Sequence, residues 1–336
     1  MKKIKPYLWW GLVVASTLLV VVFFFMFVGQ GNKEERIVWG VTFSVPQAEG
    51  LGLDWRKTYL ALLDDLGVKQ FRLVAEWNRI EPKEGKYDFS SLAWQLDELE
   101  KRGGKAIVAI GMKVPRWPEC HIPDWALNMT KEKQQTAILS LLKKTVDHFS
   151  SSSVVSIWQV ENEPFLPFGT CPWLPDKTFL KKEIAVVKKT DPSRPVMITD
   201  SGELSLLMQA AKLGDIVGTT LYRKVLNGQL NRYITYPFSS GYYARRTWII
   251  NNFFGKEVQD VELQAEPWTE RGILNTSLDE TQKTMDVDQF RENIEFARHA
   301  GHKEIYLWGA EWWYYMKEKN QLEFWDEARL LFKENN

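Results

Sequence analysis

The sequence predicts an α/β protein, a (β/α)8 TIM barrel preceded by a single N-terminal transmembrane helix. Three observations predict it. From Arg36 onward, eight strand-like segments alternate with eight helix-like ones. The strand-like segments are apolar throughout rather than alternating, as expected of a parallel sheet covered on both faces. A long uncharged run stands ahead of them, and no glycine-rich phosphate loop follows the first strand, which argues against a doubly wound nucleotide-binding sheet.

The elements follow in order. Residues 1–6, with Lys2, Lys3 and Lys5, read as a cytoplasmic basic end. Residues 7–29 carry no charge and read as a transmembrane signal anchor, since a helix of that length spans roughly 34 Å. Phenylalanines fill the end of the run and no small-residue cleavage pattern follows, against a removable signal peptide. The basic start orients the N-terminus to the cytoplasm and the rest of the chain outside, a single-pass protein of the cell membrane. Residues 30–36 read as a polar linker and 37–336 as the barrel. Strands are expected over 37–44, 70–77, 105–112, 154–161, 195–199, 216–222, 257–264 and 304–308. Helices are expected over 54–66, 89–102, 129–148, 177–189, 205–212, 242–254, 287–300 and 323–332. Asp54 caps the first barrel helix and Gly67 stops it, and Gly103 and Gly104 stop the second.

Composition excludes some functions. The 43 basic and 43 acidic residues balance to a formal charge of zero, and no basic run argues for nucleic acid. His121, His148, His299 and His302 are scattered without metal-ligand spacing, so neither metal nor cofactor is expected. Cys120 and Cys171 both fall in Pro/Trp-rich loops, where an extracytoplasmic setting permits either a disulfide or two free thiols.

In a barrel of this kind the C-terminal strand ends carry the site. The fourth strand runs into Asn162-Glu163-Pro164, and Pro forbids further pairing there. The seventh runs through Glu262 to Glu266-Pro267-Trp268. Arg72 and Trp77 lie on the second, Tyr222 closes the sixth and Trp308 the eighth. Paired carboxylates on separate strand ends suit glycosidic bond cleavage, and aromatic faces stack on sugar rings. Glu161 reads as structural, and Lys113 as a remote Schiff-base alternative.

Three motifs carry a family resemblance: residues 158–164 with Asn162-Glu163; Phe71-Arg72-Leu73 followed by Trp77, Glu81-Pro82 and Tyr87-Asp88-Phe89; and residues 256–268. The chain resembles retaining β-glycosidases of the (β/α)8 clan with catalytic Glu residues on strands four and seven, most closely cellulase-like glycoside hydrolase family 5, with echoes of families 39 and 42. The resemblance implies Glu163 as acid/base, Asn162 on the substrate 2-hydroxyl, Arg72 and Tyr222 on the nucleophile, and Trp308 as a sugar-stacking floor. Trp77 and Trp268 join the expected substrate-binding set. The nucleophile is Glu262 by gapless alignment of 256–262 with the family pattern; Glu266, before Pro267-Trp268, is the alternative. The expected partner is a β-linked oligo- or polysaccharide, and the rival function is a catalytically silent barrel that binds cell-surface glycan.

Overall fold

A computed structural model describes residues 6–228, 230, 232–269 and 272–333; the basic end with Lys2, Lys3 and Lys5 lies outside them. The strands are β1 (Val38–Phe43), β2 (Gln70–Glu76), β3 (Lys105–Gly111), β4 (Val155–Val160), β5 (Val196–Asp200), β6 (Ile216–Leu221), β7 (Lys224–Asn227), β8 (Arg232–Thr235), β9 (Glu257–Gln264) and β10 (Glu304–Trp308). Eight of them close a parallel barrel in the order β1-β10-β9-β6-β5-β4-β3-β2, while β7 and β8 pair as a separate antiparallel hairpin.

The helices begin with α1 (Pro6–Phe27), α2 (Val45–Gly50), α3 (Trp55–Asp64), α4 (Trp77–Ile80) and α5 (Ser90–Glu100). Then come α6 (Lys131–Phe149), α7 (Lys177–Thr190), α8 (Met208–Leu213) and α9 (Ser240–Phe254). The last are α10 (Leu278–Thr281), α11 (Val287–Arg298), α12 (Ala310–Glu318) and α13 (Glu323–Lys333). Six start on side-chain caps, Ser44, Asp54, Thr130, Asp176, Ser277 and Asp286, whose oxygens accept otherwise orphaned backbone N–H groups. Within α1, Trp9–Phe27 is long and apolar enough to cross a membrane.

Two apolar layers hold the barrel. The larger lies between sheet and helices, where Val41, Leu73, Val108, Trp158 and Leu263 are fully buried. Each such side chain contributes about 1.5–3 kcal/mol. A smaller cluster of Ile107, Ile157, Met197, Val261 and Tyr306 packs separately. Gly40 makes room for it, because a Cβ there would lie 2.6 Å from the Tyr306 ring.

One irregularity sets up the site. Thr219 pairs with Asp260 but Thr220 with Glu262, and on the other side Ile305 pairs with Asp260 but Leu307 with Leu263. So β9 carries a bulge at Val261, a device that re-aims the next side chain. The freed Val261 carbonyl accepts from the Thr42 hydroxyl (2.9 Å) and from Arg72 Nη1 (3.3 Å).

The differences from expectation are local. The helix expected from Ser205 begins at Met208, because Ser205 Oγ is spent on Asp200 and on the Leu207 N–H, and Leu207 has a φ of 62°. The aromatic run after Trp308 is helix α12, which opens after Gly309. The hairpin and the short helices α2 and α4 occupy stretches expected as loop. His302 is a buried side chain, and burial pushes its pKa down to about 3.

Cys120 and Cys171 form a disulfide with Cα atoms 5.2 Å apart, joining the loop after β3 to the loop after β4. Because it closes a 51-residue separation, replacing both cysteines by serine is expected to lower unfolding stability by about 2–4 kcal/mol. Urea denaturation measures this, and an unchanged midpoint contradicts it.

Candidate active site

The C-terminal ends of the barrel strands open onto a cavity of about 770 Å³. Glu163, Glu262 and Glu266 all line it, as do Tyr222, Trp268 and Trp308. Glu163 follows β4 in a tight turn. Glu161 and Glu163 take φ values of 59° and 41°, a left-handed backbone that costs energy and persists only when its surroundings hold it. Here the Glu163 N–H donates to Thr199 Oγ1 (2.7 Å), and the Glu161 carboxylate accepts from the N–H groups of Met112 and Lys113 (2.8 and 2.7 Å). Glu161 is therefore a brace between two strand ends, as its sequence position suggested.

The Glu163 carboxyl is buried and, among the described residues, makes no ion pair. Its burial, then the nearby Glu262 charge, push its pKa well above the usual carboxylate range; Lys113 opposes the shift while Glu119 and Glu203 add to it. Such a group stays protonated near neutrality and is suited to proton donation.

Glu262 has the opposite environment. Arg72 Nη1 donates to its Oε1 (2.8 Å) and the Tyr222 hydroxyl to its Oε2 (2.8 Å). Both donors fix the orientation of the carboxylate, and the Arg72 bond is charge-assisted. Glu266 instead pairs with Arg116, whose other nitrogen donates to Glu311 Oε2 (3.0 Å). Arg116 also lies over the Trp308 ring, 3.9 Å from its centroid, covering one face of that indole.

Two expected substrate contacts, Trp77 and Asn162, lie away from the cavity, and Arg72 donates to Glu262 from beneath it. Trp77 is fully buried; its Nε1 donates to Glu81 (2.9 Å) and its ring meets Trp125 edge-on, so it packs beneath the barrel loops rather than facing the cavity. Arg72 is fully buried and reaches the site only through Glu262 and Asn162. Asn162 is also buried, with Oδ1 accepting from Arg72 Nη2 (2.7 Å) and Nδ2 donating to Glu119 Oε2 (3.1 Å). Both of these position their neighbours; neither lines the cavity.

The structure adds residues that sequence reasoning passed over. Glu119 lines the cavity and pairs with Lys113 Nζ (3.2 Å), which also donates to the Asn162 carbonyl (2.8 Å). Burial raises the Glu119 pKa to about 7, with the Lys113 charge opposing it. Glu203 also lines the cavity, and burial raises it to about 7. Lys113 is thus buried among three acceptors instead of free for Schiff-base chemistry. The only sequence signal was the clustering of Lys113, Arg116 and Glu119 in one long loop after a barrel strand. Trp117, 67% exposed, begins an aromatic rim that continues through Phe168 and Trp268 to Tyr222, with centroid separations of 6.0, 6.2 and 5.2 Å.

The chain folds as a closed parallel (β/α)8 barrel with carboxylates across its mouth, and it is similar to glycoside hydrolases of that fold. Residues 54–172 match a family model described as beta-galactosidase. Among solved structures, GH5_18 from Bifidobacterium longum subsp. longum ATCC 55813 is similar at 13% identity, covering 82% of this chain and 70% of that chain, with a TM-score of 0.58. Xylanase 10B from Thermotoga petrophila RKU-1, in complex with xylobiose, is similar at 17% identity over 82% of each chain, with a TM-score of 0.53. A polyextremophilic beta-galactosidase from the Antarctic haloarchaeon Halorubrum lacusprofundi is similar at 13% identity, over 81% of this chain and 52% of that one, with a TM-score of 0.55. No curated protein matches the sequence.

The charge arrangement has a pH consequence. A proton donor must be protonated to act, so its titration sets the alkaline limb of kcat/KM. Glu119 is one of the negative charges holding Glu163 protonated, and its removal also frees the Lys113 charge to act on Glu163. In Glu119→Gln both changes lower the Glu163 pKa, so the alkaline limb is expected at lower pH than in the parent. A pH–rate profile on a chromogenic β-glycoside reads this, and a limb that stays or rises contradicts the coupling.

Proposed function

We propose that this chain is a retaining β-glycosidase acting on a β-linked oligo- or polysaccharide outside the cytoplasm, tethered by α1. The observation that carries the reading is the contrast between two carboxyls lining one cavity. Glu163 is held protonated by burial and by a neighbouring negative charge. Glu262 accepts from the Arg72 guanidinium and the Tyr222 phenol. A proton-donating carboxyl paired with a nucleophilic one is what acid-assisted double displacement requires.

In the first step a Glu262 oxygen attacks the anomeric carbon while the Glu163 proton passes to the glycosidic oxygen, which leaves as an alcohol. Glu163, now a carboxylate, takes a proton from water as the water oxygen attacks the same carbon and releases Glu262. The sugar keeps its configuration. Glu266, bound to Arg116, is placed to orient substrate hydroxyls beside the Trp308 face rather than to attack. Support for a sugar ligand comes from the similar structures, one of which holds xylobiose and another Manb1-4GlcNAc. The anchored, outward orientation is supported by the apolar helix and by the disulfide, which is stable in an oxidising compartment.

The test is a panel of 2-fluoro-β-glycosides followed by peptide mapping. The expected result is a covalent sugar on the peptide holding Glu262; a label on Glu266 reverses the assignment, and retention of none across the panel removes the covalent mechanism. In parallel, Glu163→Gln is expected to lower kcat by about 10²–10⁴-fold on substrates with poor leaving groups. Unchanged turnover removes Glu163 from the acid role.

A further inference from the structure

α1 does not leave the barrel at an arbitrary place. In a (β/α)8 barrel the helix after each strand starts at the mouth, where the strand ends. β6 runs through the hairpin β7–β8 into α9, so the first turns of α9 lie on the mouth side. That is where α1 ends. Phe27 stacks on Tyr242, with centroids 5.1 Å apart and planes 13° apart, and meets Phe238 at 6.2 Å. Arg245 donates to the Val28 carbonyl (2.8 Å). The chain then descends the side of the barrel, with His299 Nδ1 2.9 Å from the Gly31 carbonyl and the Glu34 N–H donating to Arg298 (2.8 Å). A Cβ on Gly31 would lie 2.8 Å from that of Ala244, so this path needs glycine.

The ring contacts do not stop at the anchor. Phe238 stacks on Tyr242 (4.5 Å) and lies 6.2 Å from Tyr236, and Tyr236 lines the cavity. An unbroken aromatic ladder thus joins the end of the apolar helix to the cavity wall. The rim beside this ladder is apolar and open to solvent. Leu204, which lines the cavity, is 67% exposed, Leu206 is 56% exposed, and Leu230 at the hairpin tip is 55% exposed. The 204–208 segment adjoins α9 at Arg246, which donates to the Ser205 carbonyl (2.6 Å), one residue from the Arg245 that holds the anchor. Leucines so exposed are costly in water and are at home in a bilayer interface.

We propose that the site acts on glycans joined to a membrane lipid. α1 holds the mouth against the bilayer on its β5–β6 side, and the leucine rim rests in the interface where the lipid end of the substrate emerges. The proposal rests on the glycosidase reading and on the anchored reading.

The experiment uses the full chain in dioleoylphosphatidylcholine nanodiscs. An environment-sensitive fluorophore is attached through Leu206→Cys or Leu230→Cys, with Glu100→Cys on the far side of the barrel as the control. Blue-shifted emission and quenching by lipid nitroxides at 206 and 230, but not at 100, is the expected result. Behaviour at 206 and 230 like that at 100 overturns the bilayer contact. Turnover is then compared between matched β-glucosides, β-galactosides, β-xylosides and β-mannosides, each as a soluble 4-methylumbelliferyl glycoside and as a dioleoylglycerol glycoside in the same nanodisc. Faster turnover of the lipid-linked form supports the proposal. Leu206→Glu with Leu230→Glu is expected to cut that turnover by about tenfold or more while leaving the soluble form unchanged. Cleavage of soluble glycosides with no lipid preference overturns this inference and leaves the glycosidase standing. Cleavage of neither form overturns both.

Discussion

The site is organised by one buried cation. Arg72 has no exposed surface, and a guanidinium taken out of water costs several kcal/mol unless its N–H groups find acceptors. Its acceptors are Gln159 Oε1 (2.7 Å) on β4, Asn162 Oδ1 in the turn after it, and the Glu262 carboxylate and Val261 carbonyl on the β9 bulge. These groups belong to the two strand ends that carry Glu163 and Glu262. Satisfying the cation and fixing the distance between the two carboxyls are therefore one requirement. A lysine would not meet it, because an ammonium lacks the planar fork that reaches several acceptors in fixed directions.

The other charges follow from that placement. Lys113 is matched to Glu119, and Arg116 bridges Glu266 and Glu311. Arg72 is matched to Glu262, while among the described residues Glu163 forms no ion pair. Two chemically identical side chains thus meet different surroundings: burial and the neighbouring Glu262 charge raise the Glu163 pKa, while Glu262 accepts from Arg72 and Tyr222. The bulge at Val261 is the backbone counterpart of this division, since it turns Glu262 toward the mouth while leaving Val261 in the apolar cluster below.

The sequence made legible whatever obeyed a period or a stop signal. Uninterrupted apolar runs gave the barrel strands, and Asp54 and Gly67 marked the start and stop of the first barrel helix, because both rest on local chemistry. Glu163 and Glu262 were readable as strand-end acids. The misplacements share a cause. Trp77 and Asn162 were rightly assigned to the mouth end of their strands, but whether a side chain faces the cavity or packs below it depends on neighbours far away in sequence. The helix at Ala310–Glu318 was hidden because Trp and Tyr are weak helix formers, and its stripe is set by packing: Trp313 Nε1 donates to the Ala265 carbonyl (2.8 Å). Arg116, Glu119 and Glu203 sit in loops, where no period announces a role.

The loop after β3 shows why such residues matter together. It supplies Lys113 and Glu119 beneath the acid, and Arg116 over the Trp308 face. A guanidinium on one face of an indole leaves the other face for a ligand, so the sugar platform is one-sided by construction. The loop is irregular; its Lys113–Cys120 bridge, the Thr170 N–H to Pro118 carbonyl bond (2.9 Å) and the Cys120–Cys171 bond help restrain it. The disulfide partner lies in the loop that follows Glu163. One covalent link therefore holds the charge that tunes the acid, the cation that shapes the platform and the turn that carries the acid in a single frame. Loosening that link would disturb proton donation and sugar stacking together, although neither cysteine lines the cavity.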